Sequence, residues 1–212
     1  ANDIIEVCAG TYPETVNVNK DVTINGPNKG IDPNTDPRGQ EAIIENGGFK
    51  IATNNKVVID GFTIYKNTTA VVHGVDLATG SAGAATVTVQ NNIFKRESPS
   101  GGQNVYGVYL SNSSGHKLIQ NNYFTGSPVG GFGGNGPGST SSHKTWRSGV
   151  FYNGGDVDII DNVFKTVNTA INAETYTANS DIDGNTFDNL GTAISFGGVP
   201  AGYFEIGDNN FM

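Results

Sequence analysis

Val89-Gln90-Asn91-Asn92-Ile93-Phe94 decides how this chain is read, because the stretch comes back. Ile119-Gln120-Asn121-Asn122-Tyr123-Phe124 repeats it, followed by Ile159-Ile160-Asp161-Asn162-Val163-Phe164. Ile182-Asp183-Gly184-Asn185-Thr186-Phe187 and Ile206-Gly207-Asp208-Asn209-Asn210-Phe211 continue the series, and Ile59-Asp60-Gly61-Phe62-Thr63-Ile64 is a looser copy ahead of it. Successive copies start 30, 30, 40, 23 and 24 residues apart. A second series keeps step: His73-Gly-Val-Asp-Leu77, Tyr106-Gly-Val-Tyr-Leu110, Ser148-Gly-Val-Phe-Tyr152, Thr169-Ala-Ile-Asn-Ala173 and Thr192-Ala-Ile-Ser-Phe196. Two motifs sharing one period mark a solenoid. The units are short and rich in β-branched residues, so the repeat is a coil of β-strands.

Composition agrees. The 212 residues include 30 glycines and only 15% charged residues, as a turn-dense β protein requires. Apolar residues nowhere recur at helical spacing over eleven residues or so. No apolar run reaches membrane-spanning length. The net charge of −8 argues against nucleic acid, which calls for a basic footprint. Cys8, the only cysteine, has no partner for an internal disulfide, and its neighbours Ile4, Ile5 and Val7 suggest a buried thiol.

Three short strands joined by tight turns make one rung: Ile4–Cys8, Val16–Val18 and Val22–Ile24 show the form. Residues 27–40, with three prolines and two glycines, form a loop thrown out from the rung. The opening Ile5-Glu-Val-Cys-Ala-Gly-Thr-Tyr-Pro-Glu-Thr-Val16, with Val22-Thr-Ile-Asn-Gly-Pro-Asn28 and Val57-Val-Ile-Asp-Gly-Phe-Thr-Ile64, resembles the first rungs of the pectin-lyase-like right-handed parallel β-helix. It resembles the versions in large bacterial extracellular proteins and in carbohydrate-binding or sugar-hydrolase-type modules. The resemblance implies an all-β fold over residues 1–212 with three short strands per rung of about 23 residues. It does not imply one activity, since that superfamily holds lyases, hydrolases, epimerases and non-catalytic surface proteins.

In such a coil each repeat position stacks on its counterpart, roughly 4.8 Å away. The repeats then predict an aliphatic ladder (Val89, Ile119, Ile159, Ile182, Ile206), a phenylalanine stack (Phe94, Phe124, Phe164, Phe187, Phe211) extended by Ile64, and an asparagine ladder at a turn (Asn92, Asn122, Asn162, Asn185, Asn209). These residues are spent on structure.

Function is expected on the insertions at 27–40, 95–105 and 125–147. The last holds the only tryptophan and the cluster His143, Lys144, Trp146 and Arg147. Two readings stand: a sugar platform on Trp146 beside basic groups suited to carboxylates, with His143, Lys144, Arg147 and Tyr152 as candidate catalytic residues of a uronate lyase, or a loop returning to the coil with its basic groups solvated. Tyr109 and Tyr152 are further candidates for outward sugar-binding rings. Asp158, Asp181 and Glu205 share an outward column. Either calcium bridges these carboxylates or they form a solvated acidic face.

No catalytic signature of the polygalacturonases or the mannuronan epimerases is present, nor a nucleophile elbow or a phosphate loop. The leading expectation is a non-catalytic extracellular module, structural or adhesive, from a bacterial surface, layer or filament protein. A polysaccharide lyase or a polysaccharide-binding module is the alternative. Both ends lack a cap, which predicts a piece of a longer protein, or association with neighbouring repeats or end to end with other copies. Asn67 and Asn112 sit in glycosylation sequons.

Overall fold

The computed structural model describes residues 3–77, 85–97, 104–111, 115–126, 145–175, 179–198 and 203–212. They form twenty-three short strands and, among the described residues, no helix. The first sheet stacks Asp3–Glu6, Val22–Asn25, Lys56–Asp60, Thr86–Gln90, His116–Gln120, Asp156–Ile160, Ser180–Asp183 and Phe204–Ile206. The second stacks Gly10–Tyr12, Ala42–Glu45, Thr63–Lys66, Ile93–Arg96, Tyr123–Gly126, Val163–Lys165, Thr186–Asp188 and Asn210–Phe211. The third has Thr15–Val18, Gly48–Ile51, Val75–Leu77, Tyr106–Ser111, Ser148–Asn153, Thr169–Thr175 and Thr192–Phe196. Every pairing is parallel, and neighbours within a sheet lie three strands apart along the chain, so the chain visits the sheets in turn as a right-handed parallel β-helix.

The repeat positions stack as the sequence predicts. Ile24, Ile59, Val89, Ile119, Ile159, Ile182 and Ile206 occupy one column of the first sheet. Ile64, Phe94, Phe124, Phe164, Phe187 and Phe211 occupy one column of the second. Their rings lie face to face at centroid distances of 4.6, 4.7, 5.5 and 5.0 Å. All but the terminal Ile206 and Phe211 are buried, and burying each such side chain contributes roughly 1.5–3 kcal/mol. In the third sheet Val75, Val108, Val150, Ile171 and Ile194 face inward, two residues before the inward column Leu77, Leu110, Tyr152, Ala173 and Phe196.

Between the first and second sheets the chain turns on a left-handed residue. Asn91, Asn121, Asp161 and Gly184 have φ of 54°, 53°, 54° and 65°, values that Asn, Asp and Gly tolerate best. The equivalent Gly61 (φ 81°) has a second constraint, because a side chain there would strike the backbone of Asn28 and Lys29. The asparagine after each turn forms the ladder. Asn122 donates its N–H and its Nδ2 to Oδ1 of Asn162, at 2.9 and 3.0 Å. Nδ2 of Asn162 in turn donates to the Ile119 and Ile160 carbonyls and to Oδ1 of Asn185. These side chains are wholly buried, so the bonds satisfy groups that water does not reach.

Some expectations change. Cys8 is exposed, not buried, because it sits at the turn after Asp3–Glu6, in the outermost rung described, where Ile4 and Ile5 are exposed as well. Lys95 and Arg96 belong to a strand, as do Thr125 and Gly126, so the described insertions start later than the sequence suggested. The 27–40 loop does not stand free. Arg38 makes a two-pronged ion pair with Glu41 at 2.8 Å and donates to the Asn91 carbonyl at 2.5 Å, which straps the loop to the coil.

Candidate functional site

The second motif carries the site. In Gly-Val-Tyr-Leu110 and Gly-Val-Phe-Tyr152 the middle residue faces inward and the third outward. The outward column of the third sheet therefore reads Lys50, Asp76, Tyr109, Phe151, Asn172 and Ser195. Tyr109 and Phe151 stack at 5.0 Å across one rung. Tyr106, at the strand's first position, packs on both, at 5.2 and 4.9 Å. His73, from the segment entering Val75–Leu77, stacks on Tyr109 at 4.6 Å. Four rings thus form a ridge on the outer face of the coil, in which Tyr109 and His73 are half-buried while Tyr106 and Phe151 are buried beneath them.

Around this ridge lie two cavities of about 410 and 240 Å³. The larger is walled by Tyr106, Tyr109 and Phe151 with Arg147, Glu174 and Asn104. The smaller is walled by Phe49, Lys50, Asp76 and Val72. Both include Val71 and His73, so they adjoin as one groove. Arg147 and Lys50 are balanced by Glu174 and Asp76, and the groove carries no net charge on these groups.

Burial pushes the His73 imidazole down to about 4, and the Lys66 charge adds to this, so the ring is neutral at neutral pH. Its Nδ1 accepts the Tyr106 N–H at 3.3 Å, which leaves Nε2 to carry the proton. Burial raises the Asp76 carboxyl above the usual carboxylate range, with Lys50 opposing. Burial also raises the Tyr106 phenol, with the Arg147 charge opposing. Arg147 is held by a hydrogen bond to Oδ1 of Asn104 and by its own N–H to the Val105 carbonyl. Such a groove offers apolar ring surface plus hydrogen-bonding groups of both kinds, the usual make-up of a small-ligand cleft.

The structure sorts the sequence candidates. Tyr109 and Arg147 meet in the groove wall. Tyr152 does not point outward: it is fully buried in the Leu77–Leu110–Ala173 column. Trp146 is not a sugar platform either. It is fully buried, its ring stands edge-on to Phe94 at 6.3 Å, and Nε1 donates to the Phe94 carbonyl. His143, Lys144 and Asn112 lie outside the described residues. Asn67 is exposed and exchanges hydrogen bonds with Asn46. His73, Asp76, Phe151 and Glu174 were missed, although period-2 alternation within the second motif marks Asp76 and Phe151 as outward.

A second cluster lies on the outer face of the first sheet. Asp158, Asp181 and Glu205 do share a column, one rung apart. His116 joins them unexpectedly, with Nε2 2.9 Å from Oδ2 of Asp158. His116, Asp156 and Asp158 bring one ligand atom each within 4.8 Å of the others. An imidazole among the donors suits zinc-type ions, whereas calcium prefers oxygen alone. Burial, followed by the charges of Asp183, Asp158 and Glu205, raises the Asp181 carboxyl. Its folded value lies above the unfolded one, so its cost to stability is present at neutral pH and vanishes as pH falls through the folded value. Asp181→Asn is therefore expected to raise the melting temperature by about 1–3 °C at pH 7 in chelator, from relief of like-charge contacts. That gain shrinks in acid. If calcium bridges the column, millimolar calcium stabilises the wild type alone and reverses the order, which melting curves with and without the ion will read.

No family model matches the chain, and no curated protein or solved structure matches it.

Proposed function

We propose that this chain is a carbohydrate-binding β-helix module, non-catalytic and adhesive or structural in role, working at a cell surface or in an extracellular layer. The observation that carries the reading is the outer groove of the third sheet, where Tyr106, Tyr109, Phe151 and His73 meet Arg147, Glu174, Lys50 and Asp76. The half-buried rings of Tyr109 and His73 match the apolar face of a pyranose, and the carboxylates, guanidinium and imidazole N–H match its hydroxyls. Stacked rungs fix Tyr106, Tyr109, Phe151, Lys50, Asp76 and Glu174 on a rigid sheet, which lowers the ordering cost of binding. The balanced charge favours a neutral polysaccharide. The likeness of the opening rungs to pectin-lyase-like modules supports the same direction.

Glycan-array screening followed by calorimetry tests this. A neutral oligosaccharide is expected to bind, and Tyr109→Ala to weaken it about tenfold, the loss of one ring contact of about 1.4 kcal/mol. Tyr109 is half-buried at the surface, so the variant keeps its fold. Wild-type affinity in Tyr109→Ala, or no glycan retained at all, would end the proposal. Arg147 in the groove wall favours a second reading, a uronate lyase. Incubation with acidic polysaccharides and calcium decides it, since unsaturated products require turnover.

A further inference from the structure

The interior of the second sheet contains two cations that nothing among the described residues neutralises. Lys66 and Arg96 are register partners at the inward end of their strands, one rung apart, and each is 1% exposed. The next position in that column is Gly126, which adds no side chain. Arg96 donates Nη1 to the Thr145 carbonyl at 2.6 Å. Its Nε and Nη2, and Nζ of Lys66, are enclosed and have no hydrogen-bond partner. Neither residue takes part in any ion pair among the described residues.

Leaving two charges buried and unpaired costs several kcal/mol apiece, roughly. Lys66 has one escape. Burial, aided by the Arg96 charge, pushes its ammonium down to about 7, so it sheds its proton readily. Arg96 has none, because a guanidinium keeps its proton at neutral pH even when burial lowers it to about 10. Lys117, the third inward cation, differs because its Nζ is satisfied by the Gly115 carbonyl. The unsatisfied atoms also have a shape. Nε–H and Nη2–H are the parallel side-on fork of the guanidinium, the pair that meets two oxygens of one oxyanion.

We propose that the coil binds one small oxyanion between Lys66 and Arg96, held by the Arg96 fork and the Lys66 ammonium. Phosphate, sulfate and a short carboxylate share this chemistry. Both residues are too enclosed to receive a sugar chain, so the site is separate from the groove and does not rest on the glycan reading. The Lys66 charge reaches His73, which lines the groove, so an anion beside Lys66 also changes the field at the groove floor.

The test is thermal denaturation and calorimetry of the whole chain with phosphate, sulfate and acetate, against chloride at matched ionic strength. The expected result is a saturable rise in melting temperature with at least one oxyanion, beyond that in chloride. Arg96→Met and Lys66→Met are each expected to weaken that anion at least tenfold. A rise no larger than in chloride, or one unchanged in Arg96→Met, overturns the site. Should the variants not fold, the wild type still decides. With three arginines, Arg38, Arg96 and Arg147, the Arg96 Nε–H resonance can be assigned using Arg147→Lys and Arg38→Lys. It is expected to shift downfield with the midpoint seen in melting, and a resonance that does not move refutes the proposal.

Discussion

Asn162→Ala is expected to destabilise the fold by about 3–5 kcal/mol, out of proportion to the few atoms removed. The side chain sits at the middle of the asparagine ladder, fully buried. Its Oδ1 accepts from the N–H and Nδ2 of Asn122, and its Nδ2 donates to the Ile119 and Ile160 carbonyls and to Asn185. Alanine removes all five bonds and supplies no water in their place, so the buried Asn122 N–H loses its acceptor and the tie between rungs is cut on both sides. At about 2–4 °C per kcal/mol for a chain of this size, melting should fall by on the order of 10 °C. Asn162→Asp makes a sharper test. Its carboxylate still accepts from Asn122 but turns an oxygen toward the Ile119 and Ile160 carbonyls. Buried in this way its folded pKa is raised, so the variant should regain stability as pH falls and the group takes a proton. A loss below about 1 kcal/mol in Asn162→Ala would mean that the ladder follows the turns rather than holding them.

Phe124→Ala should cost about 4–5 kcal/mol by chemical denaturation. Phe124 lies between Phe94 at 4.6 Å and Phe164 at 4.7 Å, with interplanar angles of 7° and 10°. Truncation removes buried area and two ring contacts worth about 0.5–1.5 kcal/mol each. The neighbouring rungs are tied into register by their ladders and cannot close the gap. Phe124→Leu, which refills most of the volume, should cost under half as much. Equal losses for the two variants would show that ring stacking, which both remove, rather than buried area and cavity formation, sets the stability of the column.

The columns were legible in the sequence because two motifs share one period, so a single alignment of the repeats fixes which residue lies on which. The turns were legible for a related reason: Asn91, Asn121, Asp161 and Gly184 are the residue types that accept a left-handed backbone. The candidate site was half legible. The sequence points to Tyr109 and Arg147, but it also suggests a surface place for Trp146 and Tyr152, and both are core. Trp146 carries no periodic signal, since it returns from an insertion. Tyr152 stands where the neighbouring rungs have leucine and alanine, and its polar ring departs from their pattern. Lys66, Arg96 and Lys117 show the opposite conflict. Alternation puts them inside, yet charge alone argues for solvent. His116 reaches Asp158 diagonally on the adjacent rung, a contact that repeat spacing does not announce.

From Gly61 onward the chain crosses from the first sheet to the second in two residues at five consecutive rungs: 61–62, 91–92, 121–122, 161–162 and 184–185. This edge is the keel of the molecule. Drift in length at the other two edges leaves the stacking of every column untouched, which is how segments of such different size coexist on one coil. One residue added on the keel would roll the following strand over, sending its phenylalanine to solvent and its polar neighbours into the core.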